Sequence, residues 1–95
     1  MFIIFLKFTG KKPNAGQFME SHNQWLKQGF DNGTFILAGS LQPNQGGAIL
    51  AHNLSMNEIE AKVQADPFVV ENIVDAEIFE VSPSKAIDQM KFLLG

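Results

Sequence analysis

The chain has 95 residues, 45% of them hydrophobic with nine Phe, and carries a formal net charge of −3. That length accommodates one domain and not two, and so apolar a composition argues against disorder. Seven Lys and no Arg face ten carboxylates, and Cys is absent, which argues against a nucleic-acid partner and excludes disulfides, thiol chemistry and thiolate metal sites.

The opening run Phe2–Phe8 is apolar but is interrupted at Lys7, with no basic stretch before it. It is too short for a membrane span and wrong for a signal peptide, and reads as a first strand with both faces largely covered. Thr9 to Gly16 is a Gly/Lys/Pro/Asn loop. A helix is expected from Ala15 or Gly16 to Gln28, with Gly29 and Gly33 available to end it. Thr34–Ala38 reads as a strand, Gly39–Gly47 as a polar turn region, and Ala48–Leu54 as the next strand.

Ser55 followed three residues later by Glu58 has the form of a capping box opening a second helix, with Met56, Ile59 and Val63 inward and Asp66–Pro67 as its end. Asn72 permits a tight turn, and Ile73–Val81 is the last strand. A tail starts at Ser82–Pro83, and Ala86–Leu94 is expected as a short helix touching the body through Ile87, Met90, Leu93 and Leu94. The order strand, helix, strand, strand, helix, strand is that of a ferredoxin-like α+β unit, an antiparallel sheet with both helices on one face. Residues 1–95 thus form a single domain with a C-terminal extension from about residue 83. The other sheet face keeps apolar side chains, so a homodimer packed sheet to sheet is expected, since large apolar patches are rare on monomers.

Phe18, Met19, His22, Trp25, Leu26 and Gly29 share one side of the first helix by their spacing. His22 is therefore either a satisfied core histidine or the working group of an enclosed cleft. The functional reading needs a partner to orient the ring, and Asp66 is the candidate, because two helices on one sheet face run side by side. An aspartate before proline also serves simply as a turn residue. Phe18, Trp25, Ser40 and Phe68 are the candidate substrate-contacting side chains around the pair. His52 reads as exposed or dimer-facing. No spacing of metal ligands and no glycine fingerprint for a phosphate or dinucleotide occurs, so no metal and no cofactor is expected. Glu71, Asp75, Glu77 and Glu80 read as a solvated edge.

Several segments together resemble the YCII-related (YciI-like) family over nearly the whole chain. They are the apolar first strand, His22 within SHNQWLKQGFDNG, FILAG at Phe35–Gly39, GGAILAHNLS, and ADPFVVENIV at Ala65–Val74. The resemblance implies a ferredoxin-like unit assembled as a dimeric α/β barrel. It also implies that His22 and Asp66 act as a catalytic pair in a cleft. A related enzyme of chlorinated-aromatic breakdown points to small cyclic or polar organic substrates. The chain departs from the family at Ser40, where Pro is frequent, at Asn44 and Gln45, where an acidic residue is frequent, and at Asn72, where Gly is usual. Two functions follow: a cytoplasmic, cofactor-free enzyme using the His–Asp pair for elimination, isomerisation or similar acid–base chemistry, or a non-catalytic dimeric ligand-binding or accessory module.

Overall fold

The alternation in FIIFLKF puts Phe2, Ile4, Leu6 and Phe8 on one side of β1 (Phe2–Phe8) and Ile3, Phe5 and Lys7 on the other. In the computed structural model, which describes residues 1–95, β1 lies inside a four-stranded sheet. The sheet order is β2-β3-β1-β4, with β2 (Phe35–Leu41), β3 (Gly46–Ala51) and β4 (Val74–Glu80). Every pairing is antiparallel, and Ile4 lies opposite Ile49 on β3 and Ile78 on β4. The architecture is α+β, with the strand order of the ferredoxin-like topology.

Helices α1 (Met19–Asp31) and α2 (Met56–Gln64) supply Trp25, Ile59 and Val63 to the core that Phe2, Ile4 and Leu6 build from the sheet. Only that face of β1 is closed. Ile3 and Phe5 are half-buried on the reverse side, where Leu37 and Phe79 are exposed. The expectation that both faces of β1 are covered is therefore corrected: a single chain has layers enough for one side. No helix is long and apolar enough to cross a membrane.

The first helix starts and ends later than its composition suggests. Lys12–Phe18 winds as a 3₁₀ segment, with Pro near its start, and the α-helix runs from Met19 to Asp31. Gly29 is an interior position, not the terminator. A Cβ there would collide with the Phe35 ring, so the missing side chain lets α1 approach β2. Termination falls to Asn32 and to Gly33, which has φ +79°.

The polar stretch Gly39–Gly47 is mostly strand. β2 and β3 stay paired to Leu41↔Gly46, leaving Gln42–Gln45 as the turn. Gly46 has φ +133°, and any Cβ would run into the Leu6 carbonyl, so here glycine serves close strand approach within the ladder. β3 ends at Ala51, three residues short of the expected Leu54. After Asp66 the chain forms an unanticipated short helix, α3 (Pro67–Val70), before Asn72 turns it at φ 59°. The tail holds a 3₁₀ segment, Asp88–Leu94, with no buried residue. Ile87 and Leu94 are exposed rather than packed, and Phe92 meets His52 edge-on at 5.3 Å.

The Ser55 capping box is formed in both directions. The Glu58 N–H donates to Ser55 Oγ (3.2 Å) and the Ser55 N–H donates to Glu58 Oε1 (2.9 Å). The Ser55 N–H first, and the Ser55 hydroxyl second, hold the Glu58 carboxyl below the ordinary glutamate range. A depressed carboxyl pKa contributes stability above the unfolded value and loses it as pH falls through the folded value. Ser55→Ala removes the N-cap oxygen and should cost about 1 kcal/mol at neutral pH. The gap to wild type should narrow on acidification below the ordinary glutamate range, as urea melts at several pH values would show.

Candidate active site

His22 and Asp66 are separated by 44 positions in sequence and meet through the fold. α1 presents His22 toward the sheet, and the α2–α3 junction presents Asp66. Pro67 ends α2 without an N–H of its own, and Asp66 becomes the N-cap of α3, its Oδ1 accepting from the Phe68 N–H at 3.0 Å. The same oxygen lies 2.7 Å from His22 Nδ1. An ionised carboxylate only accepts, so beside a neutral ring this geometry assigns the hydrogen to Nδ1, which donates it, and the lone pair to Nε2.

Asp66 is completely buried and His22 is 9% exposed. Phe68 lies parallel to the imidazole, with centroids 4.1 Å apart and planes 5° apart, and Trp25 stacks at 5.8 Å on the ring as well. The ring is thus held by a carboxylate at its edge and aromatic surfaces beside it. Asp66 Oδ2 is the single buried side-chain N or O atom without a hydrogen-bond partner. His22 Nε2 has no protein partner either, yet is not among the buried unpaired atoms, which makes it the atom open to the cleft. An incompletely satisfied buried carboxylate is costly in a purely structural role and is the kind of group found at working sites.

His22 lines a cleft of about 320 Å³ between α1 and the sheet. Its walls include Leu6, Phe8, Leu26, Ile49, Phe68 and Val74, with Gly46 and Gly47 of β3 also in the lining. This is at the small end of ligand pockets and suits a molecule of about one ring.

Of the side chains expected around the pair, Ser40 and Phe68 line the cleft. Trp25 does not: it is buried, its indole N–H donates to the Lys62 carbonyl (2.9 Å), and its ring meets Phe35. Phe18, at the end of the 3₁₀ segment, packs half-buried against the core and is likewise absent from the lining. The helical-face reading counted these two because it sees only which side of α1 is inward. It does not see which part of that side meets the sheet and which meets the cavity. Met19 and Asn23 do line the cleft and were missed. Positions 19, 22, 23 and 26 are themselves a three- and four-residue stripe, so the spacing that marks His22 also reaches Asn23. His52 is half-buried against Phe92 and away from the cleft. No cluster of three or more His, Asp or Glu side chains is placed to hold a metal ion.

Neither a protein-family model nor a curated protein sequence matches the chain. A solved structure does. It is 5-chloro-2-hydroxyhydroquinone dehydrochlorinase from Burkholderia phenoliruptrix AC1100, in complex with 2,5-dihydroxybenzoquinone. The TM-score is 0.72 at 15% identity, over 84% of this chain and 91% of that one. The two proteins share a fold. The dehydrochlorinase likeness thus extends over most of both chains.

Proposed function

We propose that the protein is a YCII-related enzyme that performs general acid–base chemistry on a small organic substrate, with His22 and Asp66 as its catalytic pair. The observation that carries this reading is the 2.7 Å Nδ1–Oδ1 contact of a buried pair whose other ring nitrogen opens on an apolar cleft. In this arrangement Nε2 takes a proton from the substrate, and the Asp66 carboxylate holds the tautomer and stabilises the ring as it becomes positively charged. The same nitrogen then returns the proton to the carbon or oxygen that receives it in an isomerisation, or releases it to solvent after a leaving group departs in an elimination. The removal of chloride named for the fold relative is a reaction of the second type. Ser40 and Phe68 are the substrate contacts in this reading, with Ser40 on the wall facing α1.

The substrate panel that tests it consists of small cyclic hydroxyl and keto compounds, with and without chloride, incubated in D₂O. Wild-type protein is expected to catalyse solvent deuterium incorporation or chloride release for at least one member, and His22→Gln to lose it. Equal rates for the two proteins would remove His22 from the mechanism.

The working unit in this reading is a homodimer closed sheet to sheet, forming a dimeric α/β barrel from two single-domain chains, each with its extension beyond about residue 83. Ile3, Phe5, Leu37 and Phe79 on the open face support it, since burying such side chains contributes about 25 cal/mol per Å². Sedimentation at micromolar concentration is expected to show a dimer, and Phe79→Lys to shift it toward monomer. The absence of Cys fits residence in the cytoplasm.

A further inference from the structure

Asn23 is one residue beyond His22 on α1, and Ser40 stands on β2; both line the cleft that receives His22 Nε2. Neither side chain is hydrogen-bonded within the protein, although eight side chains on neighbouring elements, from Thr9 to Glu58, are. Apart from His22, they are the polar side chains in a lining otherwise made of apolar residues and glycine. A carboxamide and a hydroxyl can each donate and accept, which suits a hydroxyl or carbonyl group.

Charge points the same way. The chain has seven Lys and no Arg, and no Lys lines the cleft. Lys12 lies over the ring of Phe8, at 5.1 Å from its centroid, but its ammonium donates to the Asn44 carbonyl (3.3 Å) in the β2–β3 turn. Lys27 is paired with Asp31 and Lys7 with Glu77. A carboxylate or phosphate entering the cleft would meet no cation beyond a protonated His22, and burying an unpaired anion is costly.

We infer that Asn23 is a specificity-determining residue that, with Ser40, binds the hydroxyl or carbonyl group of an uncharged, ring-sized substrate and presents it to His22. This rests on the cleft being the substrate site. It adds Asn23 and the requirement for an uncharged substrate to that reading.

The test is binding without turnover, using hydroquinone, 4-hydroxybenzoate and toluene as probes and following cleft resonances in ¹H–¹⁵N spectra of the full chain. Hydroquinone is expected to shift His22 and Phe68 signals and to bind at least about tenfold more tightly than 4-hydroxybenzoate. Asn23→Leu, on an exposed helix position, should weaken hydroquinone roughly three- to tenfold, the worth of a net hydrogen bond, and leave toluene unchanged. Ser40→Ala should weaken hydroquinone in the same sense, as a second reading of the wall. Equal binding of 4-hydroxybenzoate, or hydroquinone affinity unchanged in Asn23→Leu, overturns the inference while leaving a His22-dependent reaction standing. If none of the three rings shifts the cleft resonances, the inference falls and the substrate site falls with it.

Discussion

Replacing His22 with Gln is expected to lower turnover by about 10²–10⁴-fold, the usual contribution of a positioned proton-transfer group. Glutamine is close in length and keeps an N–H that can donate to Asp66 Oδ1, so the buried carboxylate retains a partner. It has no atom that takes up a proton near neutral pH. What it loses structurally is the ring stacked on Phe68 at 4.1 Å, worth about 0.5–1.5 kcal/mol. For a domain of this size that is a decrease of roughly 2–12 °C in melting temperature. Steady-state rates and thermal melts on the same preparation separate the two effects. A folded His22→Gln protein with wild-type turnover would refute a base at this position.

Asp66 offers two substitutions with opposite balances. Asp66→Asn keeps an oxygen able to accept from both His22 Nδ1–H and the Phe68 N–H, and its amide nitrogen takes the place of Oδ2, which has no partner to lose. Stability should fall less than in an alanine variant, because the unpartnered amide N–H groups stand where Oδ2 was already unpartnered. The negative charge facing the ring is gone, however, and a hydrogen bond to a charged group is worth about 1.5–3 kcal/mol, so turnover should fall roughly ten- to a hundredfold. Asp66→Ala instead strands two donors in a site with no access to water. At about 1–3 kcal/mol for each unsatisfied group it should destabilise the protein by several kcal/mol. If Asn and Ala were equally destabilising, Asp66 would be a structural cap and little more. If Asn kept full activity, the carboxylate charge would have no part in the reaction.

The features legible in the sequence are those whose partners lie within a few residues. The Ser55–Glu58 box closes over three positions, β1 announces itself by a two-residue alternation, and Asn72 turns the chain by its own tolerance of positive φ. His22 was marked by its place among apolar neighbours on a 3.6-residue period. Reading glycine as punctuation misjudges Gly29 as a helix end and the Gly39–Gly47 stretch as a turn. In the fold, Gly29 is a contact point for Phe35 and Gly46 a contact point for Leu6, neither of which is near in sequence.

By itself, then, the sequence determined the presence and order of the four strands and the two main helices, the inward side of α1, and the pair of residues that merit attention. Only the tertiary structure decided that Asp66 meets Nδ1 and leaves Nε2 open, that Trp25 belongs to the core, and that Asn23 and Ser40 face the cleft. The reason is physical. Periodicity and caps record interactions along one element, whereas a 2.7 Å contact across 44 positions depends on how two helices lie over the same sheet face.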